Sequence, residues 1–290
     1  MSGAEDKKAQ KSLSELLDQD EAGSEDILAV LRLIAERAGK IILAYYVEAG
    51  EIAVREKDDA SPVTDADEAA EAFILGALNT LTPDIPVVAE EAMAAGEVPV
   101  IEGNRFWLVD PLDGTKEFLS RNGEFTVNIA LVEDGQPAAG VVHAPALAMT
   151  WAGVCGDDAD GNKTSGRAVY GETDKPLMDI RARELPPEGA VVVASRRHGE
   201  GAELENFLSR YKVADKVSAG SSLKFCLVAS GRADLYPRFG RTMEWDTAAG
   251  HAVLLAAGGQ VYTLDDEPLD YGKPGFENPY FYAVGAPVAT

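Results

Sequence analysis

The chain is short of positive charge, histidine and cysteine, and it has no long apolar run. Lys and Arg number 26 against 49 Asp and Glu, a formal net charge of −23, which argues against DNA or RNA as the main partner. A small anion stays open, because bound divalent ions and a few placed basic residues reverse the potential locally, while distant surface acids are screened beyond about 10 Å. The two cysteines, Cys155 and Cys226, lie far apart and form no Cys-x-x-Cys pair, so they read as buried thiols of a reducing compartment rather than a disulfide. No apolar stretch approaches 18 residues, and Met1 to Ser24 is polar and lacks a signal-peptide core. Neither a transmembrane segment nor secretion is expected, and the location reads as cytoplasmic.

What is present is a globular composition, 46% hydrophobic over 290 residues, enough for one large domain or two packed ones. The stretch that organises it is Trp107-Leu108-Val109-Asp110-Pro111-Leu112-Asp113-Gly114-Thr115. An apolar run from Phe106 stops at Val109 in a Pro/Gly segment, which predicts a buried strand with acids at its C-terminal end. Pro111 fixes φ and Gly114 permits φ > 0, so the backbone can aim Asp110, Asp113 and the Leu112 carbonyl at one centre. These are oxygen donors with no Cys or His nearby, a set that suits magnesium better than zinc, and the Gly114 and Thr115 amides could receive a phosphate oxygen. A solvated Asp-Gly turn would explain the segment equally well on its own. A second acidic pair, Glu90-Glu91, follows another apolar run, Pro86 to Ala89, and Asp246 opens an Ala-rich apolar segment, where helix capping alone would account for it.

Along the chain, residues 1–24 read as a disordered arm. Ile27, Leu31, Ile34, Ala38, Ile41 and Tyr45 recur at helical spacing after Ser24 as N-cap. A polar loop from Lys57 feeds a helix over about Asp65 to Leu81, with Thr64 and Asp67 resembling a capping box. Phe125 to Leu131 and Ala139 to His143 form a hairpin, Met149 to Val154 a strand, and Gly156 to Gly166 an exposed loop. The second half alternates strands and helices: Val191 to Ala194, Glu200 to Tyr211, Leu223 to Ser230, Ala233 to Tyr236, Asp246 to Ala257 and Gln260 to Thr263. The pattern is α/β layering with a break near Met178 to Gly189.

Together, Glu90-Glu91, Asp110-Pro111-Leu112-Asp113-Gly114-Thr115 and Trp245-Asp246-Thr247-Ala248-Ala249 make the chain resemble the lithium-sensitive, magnesium-dependent phosphatases of the inositol monophosphatase superfamily. Lys57 with Ser61-Pro62-Val63-Thr64, then Thr115-Lys116-Glu117-Phe118, Gly220 to Cys226 and Tyr236-Pro237-Arg238-Phe239-Gly240 resemble its bacterial 3'(2'),5'-bisphosphate nucleotidase branch. The resemblance implies a sandwich of alternating helix and sheet layers, an N-terminal α+β portion over 25–180, mainly antiparallel in its sheet, and a C-terminal α/β portion over 181–290. It implies two magnesium ions, or three, held by Glu90, Asp110, the Leu112 carbonyl, Asp113 and Asp246, with Asp67 and Thr115 orienting and deprotonating the attacking water and Glu90 counted with them as catalytic. Nucleotide contacts would come from Gly114, Thr115, His198, Ser221, Lys224, Arg238 and Asp246. Ser221 as a helix N-cap, and Lys224 or Arg238 as surface charges, remain competing readings. His143 and His251 read as structural, the latter as a packing residue. The implied partner is a nucleotide, the reaction hydrolysis of adenosine 3',5'-bisphosphate to AMP and phosphate, and the alternative an inositol or broader sugar phosphatase. The expected assembly is a monomer or homodimer. Peripheral association with the inner membrane stays open, although no amphipathic basic anchor is visible.

Overall fold

Helix α1 (Ser24–Val47) starts on the residue expected to cap it, and Ile27, Leu31, Ile34, Ala35, Ala38 and Ile42 form its buried stripe. Helix α2 (Asp65–Leu81) presents Ala66, Ala70, Ile74 and Leu78 at four-residue spacing to the same core. These helices belong to a computed structural model that describes residues 24–47, 54–56, 62–173, 175–195 and 201–286. The N-terminal arm, Lys57, Ser61 and His198 lie outside the described residues.

The apolar faces of α1 and α2 cover one side of a seven-stranded sheet made of β3 (Val87–Ala89), β4 (Arg105–Asp113), β5 (Thr126–Glu133), β6 (Gln136–Ala144), β7 (Met149–Asp157), β8 (Lys163–Glu172) and β9 (Met178–Asp179), in that order. All its pairs are antiparallel except β3 with β4. Two short strands, β1 (Val54–Glu56) and β2 (Pro62–Thr64), pair by themselves ahead of α2. The loop expected over Gly156 to Gly166 is shorter than anticipated, because β7 and β8 pair as far as Asp157 and Lys163. Lys163 bridges Glu133 and Asp157 there, which lets a polar stretch continue the ladder.

The second sheet runs β11 (Val213–Ser218), β10 (Ala190–Ala194), β12 (Leu235–Arg238), β14 (Phe281–Val284), β13 (Gln260–Thr263). β10 pairs in parallel with β11 and β12, and the rest is antiparallel. Helix α5 (Ala202–Leu208) seats Leu204, Phe207 and Leu208 on its outer face, beside Ala190, Val192 and Leu235. Between the sheets lie α6 (Leu223–Ala229) and α7 (Glu244–Ala256), whose buried residues share one core with Phe106, Leu108, Ala130, Val142 and Phe281. The layers therefore alternate helix, sheet, helix, sheet, helix.

The seating of α7 fixes the site that follows. This helix is nearly all buried and rich in alanine, and it lies on β6 and β7 where those strands carry Gly140 and Gly153. A Cβ at Gly140 would fall 2.8 Å from the Ala249 carbonyl oxygen, and one at Gly153 2.9 Å from the Val253 Cα. Small residues on both surfaces allow helix and sheet to approach closely, which brings the N-terminus of α7 over β4.

Candidate active site

Strand β4 does not stop at Val109, as the apolar pattern suggested, but continues through Asp113 with a bulge. Asp110 pairs with Asn128 and Asp113 with Thr126, so three steps along β4 match two along β5. Residues three apart on a regular strand face opposite sides. The extra residue at Pro111-Leu112 returns Asp113 to the side of Asp110, the side covered by α7. Asp110 is 1% exposed and accepts the Leu112 N–H at 3.0 Å, which tightens the bulge. Gly114, at φ +90°, then turns the chain into the short helix α4 (Thr115–Leu119). A side chain there would press on Glu117, the Glu124 carbonyl and Ser221, each 3.3 Å from its Cβ.

Glu90 is the first residue of helix α3 (Glu90–Ala94), which begins where β3 ends beside β4. Asp246 arrives from α7. The helix starts two residues earlier than expected, at Glu244, so Asp246 is its third residue rather than its opening one, and its Oδ2 accepts the Met243 N–H at 2.9 Å. The four acids interact strongly. Burial, then the charges of Glu90, Asp113 and Asp246 and a hydrogen bond with Glu90, hold the Asp110 carboxyl well above the usual carboxylate range. Burial, with Asp113 and Glu90, does the same to Asp246. Asp113 is pushed up to about 6 by burial, against the pull of Lys224 and a hydrogen bond from the Ser222 N–H. Among the described residues no three His, Cys, Asp or Glu side chains converge as a ready-made ligand cage; Asp110 and Glu90 instead share a hydrogen bond. A cluster of buried oxygen donors that resists ionisation has the chemistry to take a hard divalent cation, whose charge would remove the repulsion.

Asp67, third residue of α2, is 2% exposed. Its Oδ2 accepts the Thr64 N–H at 2.8 Å and the Thr64 hydroxyl at 2.5 Å, while its Oδ1 faces the Thr115 hydroxyl at 3.5 Å. The Thr115 hydroxyl also lies 3.4 Å from the Leu112 carbonyl oxygen. The capping box is real, and it uses only one of the two carboxylate oxygens.

Beside the acids opens a cavity of about 150 Å³, lined among others by Asp113, Gly114, Ser221, Lys224, Arg238 and Asp246. Lys224 is not a surface charge: it is 4% exposed, its ammonium lies 5.3 Å from the Tyr236 ring centre, and burial lowers it to about 8 despite the attraction of Asp113. It donates to the Ala219 and Ser221 carbonyls. The guanidinium of Arg238 donates to the Arg241 carbonyl at 3.3 Å, and its Nε–H is buried without a partner. Ser221 is not the helix cap. It takes φ +40° just before Ser222, which holds the N-cap position of α6, and its hydroxyl lies 2.9 Å from that of Thr126. Thr126 also meets Ser222 at 2.8 Å, and Ser222 donates to Asn128 Oδ1 at 2.6 Å, so this turn is tied to β5.

Several residues of the site were given no role from the sequence. Lys116, Glu117, Ser195, Thr242 and Thr247 also line the cavity. Glu244, fully buried, accepts the Gly272 and Lys273 N–H groups at 2.7 and 2.9 Å and pairs with the Lys273 ammonium, anchoring the start of α7. Glu71 accepts the Glu91 and Ala92 N–H groups, each at 2.8 Å. The available signal was an acid beside the apolar stripe of a helix, a position that surface charge seldom takes. The two described histidines stand apart: His143 Nδ1 meets Thr150 at 2.9 Å, and His251 Nδ1 meets the Tyr271 hydroxyl at 2.9 Å.

The model of the inositol monophosphatase family matches residues 24–280. The chain is 47% identical over 249 residues to a protein of Escherichia coli K12 described as 3'(2'),5'-bisphosphate nucleotidase CysQ, covering 86% of this chain and 95% of that one. A protein of Haemophilus influenzae with the same description is 32% identical over 264 residues, 90% of this chain and 94% of the other. Among solved structures, CysQ from Bacteroides thetaiotaomicron, described as a bacterial member of the inositol monophosphatase family, is 33% identical, with a TM-score of 0.70 over 89% of this chain and 96% of that one.

Proposed function

The chain belongs to the inositol monophosphatase family, and from that premise we propose that it is a magnesium-dependent 3'(2'),5'-bisphosphate nucleotidase, which takes adenosine 3',5'-bisphosphate to AMP and phosphate. The observation that carries this reading is the 47% identity, nearly end to end, with the nucleotidase CysQ of Escherichia coli. The cavity supports it. A chain of net charge −23 places the buried Lys224 and the guanidinium of Arg238 in one cavity with Asp113 and Asp246, as a substrate with a second phosphate away from the metals requires.

Members of this family are metal-dependent, lithium-sensitive phosphatases. Glu90, Asp110, the Leu112 carbonyl, Asp113 and Asp246 would hold two magnesium ions, and Asp67 and Thr115 would lie near a third, weaker one. Bound cations of this kind neutralise charge on the attacking and leaving oxygens and make water more acidic. The protein groups supply position and proton transfer. Thr115, with Asp67 Oδ1 3.5 Å from its hydroxyl, orients the attacking water and passes its proton to Asp67, whose rotamer the two bonds from Thr64 hold. The Gly114 and Thr115 amides receive the scissile phosphate, and Ser221, Lys224, Arg238 and His198 the nucleotide. At neutral pH Lys224, lowered to about 8, keeps its charge and can pair with an anion.

We assign the chain two portions, 25–180 and 181–290, the second of which lays α7 on the sheet of the first. Among the described residues no helix is long and apolar enough to cross a membrane. A cytoplasmic monomer or homodimer is proposed, and sedimentation together with cell fractionation, which would also reveal inner-membrane association, decides it. The test of function is phosphate release with magnesium from adenosine 3',5'-bisphosphate, inositol 1-phosphate and fructose 1,6-bisphosphate, each with and without lithium, beside Asp110→Asn. Preference for the nucleotide, lost with lithium and with the substitution, supports the assignment. Faster release from inositol 1-phosphate would transfer it to the inositol phosphatase reading and discard the nucleotide pocket.

A further inference from the structure

Helix α3 has a start that its own sequence cannot cap. Its N-cap residue is Ala89, which makes no side-chain capping bond, yet the first helical residue is Glu90, the side chain that must face Asp110. The missing acceptor comes from another element. Glu71 of α2 is 4% exposed, and its two carboxylate oxygens take separate backbone amides: Glu91 N–H on Oε2 and Ala92 N–H on Oε1, both at 2.8 Å. Charge-assisted bonds to orphan amides of a helix start are among the stronger ones available to a carboxylate. Glu90 is thus held from both sides, by the pairing of Ala89 with Val109 before it and by the Glu71 clamp after it.

We propose that Glu71 is a positioning residue for the metal site, setting the backbone of Glu90 so that its carboxylate reaches the donor cluster. The inference rests on the reading of Glu90 as a magnesium donor. Both oxygens of Glu71 are engaged by amides at the start of α3, which places it to act through Glu90. Its place on α2 adds a second consequence. Asp67 and Glu71 are four residues apart, neighbours on one helix face about 6 Å along the axis. A single helix therefore aligns the proton acceptor with Thr115 and, one turn later, aligns a metal donor with Asp110. Partners one layer behind a metal ligand commonly matter about tenfold or more in metal affinity.

The test is a manganese titration followed by electron paramagnetic resonance, without substrate, on the wild type, Glu71→Gln, Glu90→Gln and the double variant, with thermal unfolding in chelator recorded for each. Gln at 71 keeps the size but offers one acceptor and places an NH2 group against the other amide. The expected result is about tenfold weaker manganese binding in Glu71→Gln, and less than a twofold further loss when it is added to Glu90→Gln, because the two act through the same carboxylate. Unchanged affinity in Glu71→Gln beside a clear loss in Glu90→Gln overturns the role of Glu71 and leaves the donor assignment standing, as does a loss that multiplies fully in the double variant. Unchanged affinity in Glu90→Gln overturns the donor assignment and the role of Glu71 with it. A purely structural Glu71 would lower the melting temperature in chelator with manganese affinity intact, which also refutes the proposal. Should Glu71→Gln fail to fold, Glu71→Asp, which keeps the charge one methylene short, takes its place with the same expected weakening.

Discussion

Asn at position 113 should make the metal-free protein more stable while removing its activity. In chelator, Asp113 must be ionised above pH 6 in a site whose burial and acidic neighbours raise it from 3.8 to about 6. The sign follows from proton counting. Between 3.8 and 6 the folded chain holds a proton at this group that the unfolded chain has released, so folding is penalised as pH rises, and the penalty is complete above the folded value. At about 1.4 kcal/mol per pH unit, the rise amounts to about 3 kcal/mol at pH 8 and about half of that at pH 5. Asn keeps an oxygen for the Ser222 N–H and carries no charge. Asp113→Asn should therefore melt about 6 °C higher than the wild type at pH 8 in chelator, with the gap shrinking by about half at pH 5. Saturating magnesium should close most of that gap, since a cation at 100 times its dissociation constant adds about 2.7 kcal/mol to the wild type and less to a variant short of a donor. Urea and thermal unfolding at both pH values, with chelator and with magnesium, are the assay. A variant less stable than the wild type in chelator at pH 8, or a gap of equal size at both pH values, refutes the reasoning.

Asp67→Asn and Thr115→Ala should each lower kcat by about 10² to 10⁴ with manganese affinity within a few fold of the wild type, whereas Asp67→Asn alone also costs about 1 kcal/mol of stability through its weakened cap on Thr64; steady-state kinetics and urea unfolding separate the two effects. Gly140→Ala should destabilise by about 1–3 kcal/mol, since its Cβ would sit 2.8 Å from the Ala249 carbonyl, and it should weaken metal binding as α7 carries Asp246 away. Burial lowers His251 to about 3 and His143 to about 4. Because the unfolded chain takes up these protons from about pH 6.5 downward, each His removes about 1.4 kcal/mol of stability per pH unit as pH falls toward its folded value. Denaturation midpoints from pH 7 to 5 should show a shallower slope in His251→Gln.

The layers and the carboxylate cluster were legible because their signals are local. Ala66, Ala70, Ile74 and Leu78 keep a helical spacing that needs no tertiary knowledge, and α2 lies over the expected span, Asp65–Leu81. Strand β11 was not anticipated, since its Val213–Ser218 is an edge with mostly exposed side chains and no alternating pattern. Helices α3 and α4, five residues each, are too short for any period to show. The bulge in β4 was hidden for another reason: Pro111 and Gly114 announce a turn, and only pairing with Asn128 and Thr126 shows that the strand resumes. Glu71 and Glu244 were hard to read because their partners are backbone amides roughly twenty or more residues away; an amide leaves no mark in the sequence, and the only sign was an acid beside a buried stripe.

In Asp67 and Asp246, helix capping and the proposed site roles are compatible. Each is the third residue of its helix, and each turns its Oδ2 back to the N–H of the residue before the helix, Thr64 or Met243. That bond fixes the rotamer, and a fixed rotamer is what a reacting or metal-binding oxygen needs, because misplacement by about 1 Å can cost about a hundredfold. The remaining oxygen is then held in place at no further cost in side-chain entropy. In Asp67 that oxygen faces Thr115. A helix start that reads as a capping box is thus a means of aiming a carboxylate, and the observation that separates a plain cap from an aimed one is where the second oxygen points.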